Sequence, residues 1–425
     1  MLYISTVHPR LAGVIGAGEM MAMKSSASKS GEDLPQDAQD FSLVLGGPLF
    51  QLLRRAHLSD DALTLVRRRV LVISLFAWLP LLVLSALEGN MLGGSAAVPF
   101  LMDVEVHVKF LAVIPLLIVA ELVVHQRLRP LAAQFLKQDL IPESAKARFD
   151  AAIASAHRLR NSVLAEVLLI AFVYGVGVLI FWRHYMVLDT TTWFATPSAG
   201  GSTLSSAGMW YGFVSVPIFQ FLWLRWLFRL FVWARVLWQV SRLDLNLVPT
   251  HPDRAGGLGF LSGALFAFMP LAVAFGALLA GGLANRIFYS GAKLPDFKML
   301  IATAVILLVF IFVGPLLVFA PRIVQAKRTG LLEYGALAQR YVREFDVKWL
   351  RGGAPADETL VGSGDIQSLA DLANSFEVVR TMRMAPVALQ DIIRLAIAAL
   401  VPIAPLLLTV MPLADLLKLM MGFLR

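Results

Sequence analysis

The sequence predicts an all-α fold, a polytopic membrane bundle of seven transmembrane helices with additional helical segments on the cytoplasmic side. Of the 425 residues, 58% are hydrophobic and only 16% are charged, and the mean hydropathy is +0.72. Soluble domains carry about 25% charged residues, so the composition excludes an ordinary globular enzyme, a disordered chain and a coiled coil. Apolar runs of about 20 residues, the length needed to cross roughly 30 Å of hydrocarbon, recur along the chain.

The N-terminal region precedes these runs. Residues 1–40 are predicted to be disordered because they include a small, polar stretch from Ser25 to Asp40. Residues 41–69 are predicted to form an amphipathic helix at the membrane surface, since leucines alternate with Arg and Asp at helical spacing.

Seven apolar runs follow, and each is predicted to be one membrane span. The polar segments 126–162 and 322–390 carry apolar residues at helical spacing and are predicted to form cytoplasmic helices. Residues 412–425 form a short C-terminal tail. The predicted spans are 70–87, 108–124, 163–182, 209–240, 261–284, 299–320 and 392–411.

The distribution of basic residues predicts the orientation. Placing the N-terminus inside puts 30 of the 37 Lys and Arg residues on the cytoplasmic face and seven on the other. Such an excess is typical of cytoplasmic loops. We therefore expect a multi-pass inner-membrane protein with its N-terminus in the cytoplasm and its C-terminus on the outer side. The net charge of +8 is then accounted for without nucleic acid.

An internal repeat is also predicted. Residues 75–83 (LFAWLPLLV) and 265–273 (LFAFMPLAV) agree at six of nine positions, including a proline. Shorter matches relate the second span to the sixth and the third to the seventh, in the same order. These matches predict two parallel three-span repeats, 70–182 and 261–411, joined by a linking span and loop over 183–260.

Prolines inside the spans mark places where a helix can bend. Each removes one backbone hydrogen bond, which produces either a fixed kink or a hinge for alternating access. The candidate hinges are Pro80, Pro115, Pro270 and Pro315.

Ionisable residues within the spans are candidates for function, because an unpaired charge in hydrocarbon is costly. Glu121, Glu166, Asp391 and Arg225 all fall near the predicted cytoplasmic ends of their spans. One interpretation is an ion or proton site, or an inner gate. The other is structural pairing of acids with Arg225 at the interface.

The loop before the fifth span is glycine-rich. His251, Asp253, Arg254, Gly256 and Gly257 precede a helix, and glycines there can present backbone N–H groups to an anion. The loop is therefore either an anion or regulatory site or a tight turn closed by an Asp–Arg clamp.

These observations favour a transport protein or channel for a small ion or solute. The alternative is a non-transporting scaffold or signalling protein that acts through its cytoplasmic helices. Membrane lipid and the transported solute are the expected partners, and a homo-oligomer is compatible with the pattern. No enzyme activity, cofactor or metal is expected, because the polar segments lack catalytic motifs and the chain has no cysteine.

Overall fold

The computed structural model describes residues 41–48, 50–51, 65–94, 96–179, 191–198 and 201–410. Six helices in this part are long and apolar enough to cross a membrane, and a seventh crossing is counted if one bent helix pair is a single span. The prediction of an all-α chain whose long helices are able to span a membrane is therefore confirmed. The disorder predicted for 1–40 and the tail 412–425 lie outside the described residues.

The described chain contains ten named helices and one β-hairpin, besides short 3₁₀ turns at Phe100–Met102 and Gly259–Ser262. The short hairpin strands β1 (Ala195–Ser198) and β2 (Gly201–Leu204) pair antiparallel between α4 and α5. The helices are α1 (Val66–Leu87), α2 (Val104–Lys137), α3 (Glu143–Arg160), α4 (Val163–Gly177), α5 (Ser206–Ser241), α6 (Gly263–Ala267), α7 (Met269–Ser290), α8 (Leu294–Leu350), α9 (Gly364–Arg380) and α10 (Leu389–Thr409).

The helices alternate in direction, so the bundle has two distinct ends. One is the hairpin end, where α2, α5 and α8 begin. The other is the α3 end, where α1, α4, α7 and α10 begin. The amphipathic helix α3 lies there against α5, and it bends by 47° into α4. The helical prediction for 126–162 is thus confirmed.

The polar segment 322–390 is helical as predicted over much of its length. Helix α8 continues from its apolar part to Leu350, a single run of 57 residues, and α9 packs back along it. Asp365, near the start of α9, accepts hydrogen bonds from Lys348 Nζ at 2.8 Å and Trp349 Nε1 at 2.9 Å. These bonds tie the two helices together at their far end.

Three of the four candidate hinge prolines coincide with departures from α-helical geometry. Pro115 follows a π turn, Pro270 follows the break between α6 and α7, and Pro315 lies in 3₁₀ turns. A proline has no N–H, so the carbonyl four residues earlier needs another arrangement, and a wider or tighter turn supplies it. Pro80 lies within regular α-helix. Movement at these positions stays a prediction.

The two halves do not have the same helix neighbours. Helix α1 packs along α2 and the start of α5, whereas α7, its counterpart in the proposed repeat, packs along α10 and α2. Residues 75–83 lie in an unbroken helix, but 265–273 cross the break at Phe268. The three-plus-one-plus-three repeat therefore stays a prediction.

The amphipathic helix predicted for 41–69 is wrong at its beginning, and its residues 49 and 52–64 lie outside the described part of the chain. Residues 41–47 are not helical, and Phe41, Leu43 and Val44 are fully buried. Ser42 Oγ lies 2.9 Å from His125 Nδ1, and Ser42 O accepts a hydrogen bond from Arg160. The apolar residues are used to fill the space between α2 and α3 instead of facing lipid.

Candidate functional site

A buried carboxylate on α2, Glu121, is the centre of a group of charged side chains inside the bundle. Glu121 lies about 25 Å along α2 from Val104, because a helix rises about 1.5 Å per residue, and only 5% of its surface is exposed. Its Oε1 accepts from Arg229 Nη1 at 2.7 Å and from Arg225 Nη1 at 3.3 Å. Its Oε2 contacts Arg69 Nη2. Three guanidinium groups from α1 and α5 therefore converge on one carboxylate.

The helices position these arginines by simple periodicity. Arg225 and Arg229 are four residues apart on α5 and share one face. Between them, Trp226 donates its Nε1–H to Leu117 O on α2 at 2.9 Å, and the Arg229 guanidinium stacks over the Trp226 ring at 4.8 Å. This contact holds α5 in register with α2, so that both arginines point at Glu121.

A second carboxylate extends the group to α4. Glu166 lies in the first turn of α4, and its Oε1 is 3.6 Å from Arg225 Nε. Gly47 packs against it with φ of +91°, and a Cβ atom there would lie only 2.9 Å from Glu166 Oε1. The backbone at Gly47 thus covers the Glu166 carboxylate. We call Arg69, Glu121, Glu166, Arg225 and Arg229 the Arg–Glu cluster.

The structure brings together three of the four residues that the sequence placed in one layer. Glu121, Glu166 and Arg225 belong to the Arg–Glu cluster, but Asp391 pairs with Arg394 Nη1 at 3.5 Å on its own helix. Arg394 also lies over the Phe266 ring. Helix α10 packs on α6, α7 and α8, whereas the cluster lies among α1, α2, α4 and α5, so Asp391 belongs to a different part of the bundle.

The sequence does not single out two members of the cluster. Arg69 falls at the end of the predicted interfacial segment 41–69, and Arg229 falls in the predicted span 209–240. Both are almost fully buried. The four-residue interval from Arg225 to Arg229 was the signal that both face the same neighbour. Nothing in the sequence indicated that Arg69 would reach the same carboxylate.

A cavity of about 430 Å³ opens beside the Arg–Glu cluster. Helices α1, α2, α4 and α5 form its walls; Arg69, Glu121 and Arg225 line it on the polar side, and the rest of the lining is mainly apolar. Phe76 and Tyr174, on two of the walls, are each 52% exposed. The cavity therefore reaches from the bundle surface to the cluster.

The glycine-rich loop is closed by its own aspartate. The Asp253 carboxylate accepts hydrogen bonds from the N–H groups of Ala255 at 2.8 Å, Gly257 at 3.2 Å and Gly259 at 2.7 Å. It also lies 2.8 Å from His251 Nδ1. These N–H groups are therefore used internally, which favours the tight turn over a site for a free anion.

The expected Asp–Arg clamp is replaced by this set of backbone contacts. Arg254 has a φ of +56°, and its carbonyl accepts from Arg383 N at 2.7 Å. The loop is therefore joined to the segment after α9. Gly256 and Gly257, with φ of +70° and +97°, supply the left-handed backbone that the turn needs.

Replacing Asp253 with Asn is expected to destabilise the protein by about 1–2 kcal/mol, because a charged acceptor of several N–H groups is lost. Burial alone raises the pKa of Asp253, but the bonds from Ala255, Gly259 and Gly257 outweigh it, so the pKa lies below its usual value. The stability that the ionised Asp253 carboxylate gives the folded protein is present above the unfolded pKa of about 3.9. It is lost as pH falls through the folded pKa.

Unfolding measured in detergent from pH 7 downward checks this prediction. The acid-dependent loss of stability should be smaller in Asp253→Asn than in the wild type. Asp244→Asn is the matched control, because the Asp244 side chain is 80% exposed. Identical pH profiles for the wild type and Asp253→Asn would contradict the assignment.

A further polar group lies at the hairpin end and was not foreseen. Asp103 is buried and accepts from Trp193 Nε1 at 2.9 Å, Asn285 Nδ2 at 2.7 Å and Val106 N at 3.2 Å. It caps α2 and binds both α7 and the residue two positions before β1. Its hydrogen bonds all go to structural neighbours, which indicates a role in packing.

Within the described ranges, no cluster of three or more metal-binding side chains is present.

No protein-family model, curated protein or solved structure matches the chain.

Proposed function

We propose that this protein is an integral membrane transport protein or channel for a small ion or solute, in which the Arg–Glu cluster acts as a gate. The supporting observation is the position of the cluster beside a cavity whose walls are formed by α1, α2, α4 and α5. A cation site is disfavoured, because both oxygens of Glu121 already contact guanidinium groups. The three arginines also outnumber the two carboxylates.

A gate fits the same contacts. The ion pairs join α1, α2, α4 and α5, so a solute that passes among these helices must separate at least one pair.

The proposal includes the two parallel three-span halves, with the paired prolines as hinges. Replacing both Pro80 and Pro270 with Ala should then lower the flux, and an unchanged flux would argue against the hinges.

Flux into liposomes tests the proposal. Purified protein is reconstituted and assayed with K⁺, Na⁺, Cl⁻, acetate and a proton gradient, with protein-free liposomes as the control. At least one of these should move faster with protein. Glu166→Gln, which weakens the pair to Arg225, should change that rate or its pH dependence. Rates equal to those of empty liposomes in every assay would overturn transport.

We also propose an inner-membrane location with the α3 end in the cytoplasm, because most Lys and Arg residues lie toward that end. The N-terminus is then inside and the C-terminus outside. The chain has no cysteine, so a single Val361→Cys variant reports its own position; Val361 is 88% exposed. A membrane-impermeant maleimide should label it in inverted vesicles but not in intact spheroplasts. The reverse pattern would overturn the orientation.

A scaffold or signalling role is the second candidate, and the surface of α8 and α9 favours it. Leu332 is 76% exposed and Leu350 is 71% exposed on a helix that continues far beyond its apolar part. Apolar side chains in such positions suit contact with another protein. Leu332→Glu and Leu350→Glu should then abolish self-association of the purified protein, measured by mass photometry. Unaltered association would argue against this candidate.

A further inference from the structure

The cavity beside the Arg–Glu cluster has the build of a ligand site. Its volume of about 430 Å³ lies within the roughly 300–1,000 Å³ that is usual for small-molecule sites. Val72, Ile73, Ile118 and Ile218 contribute to its apolar walls. The only charged side chains that line it are Arg69, Glu121 and Arg225 among the described residues. The site is therefore apolar with a charged patch.

The charged patch favours an anion. Glu121 Oε2 contacts Arg69, and its Oε1 accepts from Arg225 and Arg229. Its negative charge is thus directed into the cluster. The five residues of the cluster carry three positive and two negative charges, and all are buried. An excess of buried positive charge is costly and is relieved by a bound anion.

Arg69 has one donor that the described residues leave unpaired. The side chain is only 2% exposed, yet its Nε has no hydrogen-bond partner within the part of the chain that the structure describes. Buried guanidinium donors are normally paired. Because Arg69 lines the cavity, an acid group bound there would lie beside this side chain and offset its positive charge.

We propose that this cavity binds an anionic amphiphile, with its carboxylate or phosphate group at Arg69 and Arg225 and its acyl chain along the apolar walls. The ligand enters from the side of the bundle, past the half-exposed Phe76 and Tyr174. A free fatty acid and the head group and chain of an anionic phospholipid share this chemistry. The proposal concerns binding and holds whether or not the bundle carries a solute.

Binding of dansyl-undecanoic acid to the full-length protein in a non-ionic detergent tests the site. Its methyl ester, which has the same chain without the charge, is the ligand control. Arg69→Gln should weaken binding of the acid about 10- to 100-fold, the usual range for loss of a charge-assisted hydrogen bond. Arg242→Gln is the matched variant, because Arg242 is exposed and lies over the Trp238 ring outside the cavity; it should bind as the wild type does.

A second variant keeps the test independent of the ion pairs. Ile218→Trp fills the cavity without altering a charge, and it should weaken binding of the acid while the thermal unfolding midpoint stays near that of the wild type. Equal affinities for the acid and the ester would overturn the proposal. An acid affinity that neither Arg69→Gln nor Ile218→Trp lowers would do the same.

Native mass spectrometry from nanodiscs distinguishes the two sources. Phosphatidylglycerol that stays bound in preference to phosphatidylcholine, and is lost in Arg69→Gln, assigns a membrane lipid. Dansyl acid binding without lipid retention assigns a free fatty acid. If the protein neither binds the dansyl acid nor retains phosphatidylglycerol, the proposed site is overturned. The proposed transport role is judged separately, by the flux assay.

Discussion

Replacing Glu121 with Gln is expected to lower the free energy of unfolding by about 3–5 kcal/mol, the range found when one partner of a buried ion pair is removed. The loss is large because three guanidinium groups on two helices would lose their common anion. Unfolding in mixed micelles, followed by tryptophan fluorescence, measures it.

Glu143→Gln is the control for this substitution. Glu143 also forms an ion pair, with Lys146, but its side chain is 84% exposed. Exposed pairs contribute roughly 0–1 kcal/mol, so this variant should unfold almost as the wild type does. Equal effects of the two substitutions would mean that Glu121 is solvated and the cluster is not buried.

Replacing Gly276 with Ala is the second substitution with a large expected effect. A Cβ atom at Gly276 would lie 1.9 Å from the carbonyl oxygen of Ala399, where α7 and α10 meet. The obstacle is backbone and cannot rotate away, so the helices must separate. We expect destabilisation at or above the upper end of the about 1–3 kcal/mol that is usual for overpacking.

Gly282→Ala provides a control on the same helix. The nearest atom to a Cβ there is Glu105 Oε2 at 4.0 Å, an ordinary contact distance. Since alanine favours helix by roughly 0.5–1 kcal/mol over glycine, this variant should be neutral or slightly more stable in thermal unfolding. Destabilisation of Gly282→Ala as large as that of Gly276→Ala would exclude close packing of α7 and α10 as the cause.

The helices that cross the bundle were predictable because their signal is local. Composition and length located the fourth and seventh spans to within three residues of where α5 and α10 begin. The third span could be checked only as far as the described end of α4. The polar half of α8 was predicted as helix, but its continuity with the apolar half was not, since a change in polarity looks like a boundary when only the sequence is known.

The composition of the site was less predictable, because it depends on which helices are neighbours. Glu121, Glu166 and Arg225 were found from the cost of burying charge. Asp391 satisfied the same criterion and lies elsewhere, because depth along a helix does not specify its partners. Residues 41–47 were misassigned for a related reason: a short apolar segment packs equally well against protein or lipid.

The pairing of Glu121 with Arg229, at 2.7 Å, is the contact on which the account of the cluster most depends. A double-mutant cycle with Glu121→Gln, Arg229→Gln and the combined variant measures it directly. Contacting residues show interaction energies of about 0.5–3 kcal/mol, and for this buried pair we predict a value in the upper half of that range. Single effects that add to within about 0.5 kcal/mol, as expected for distant residues, would contradict the account.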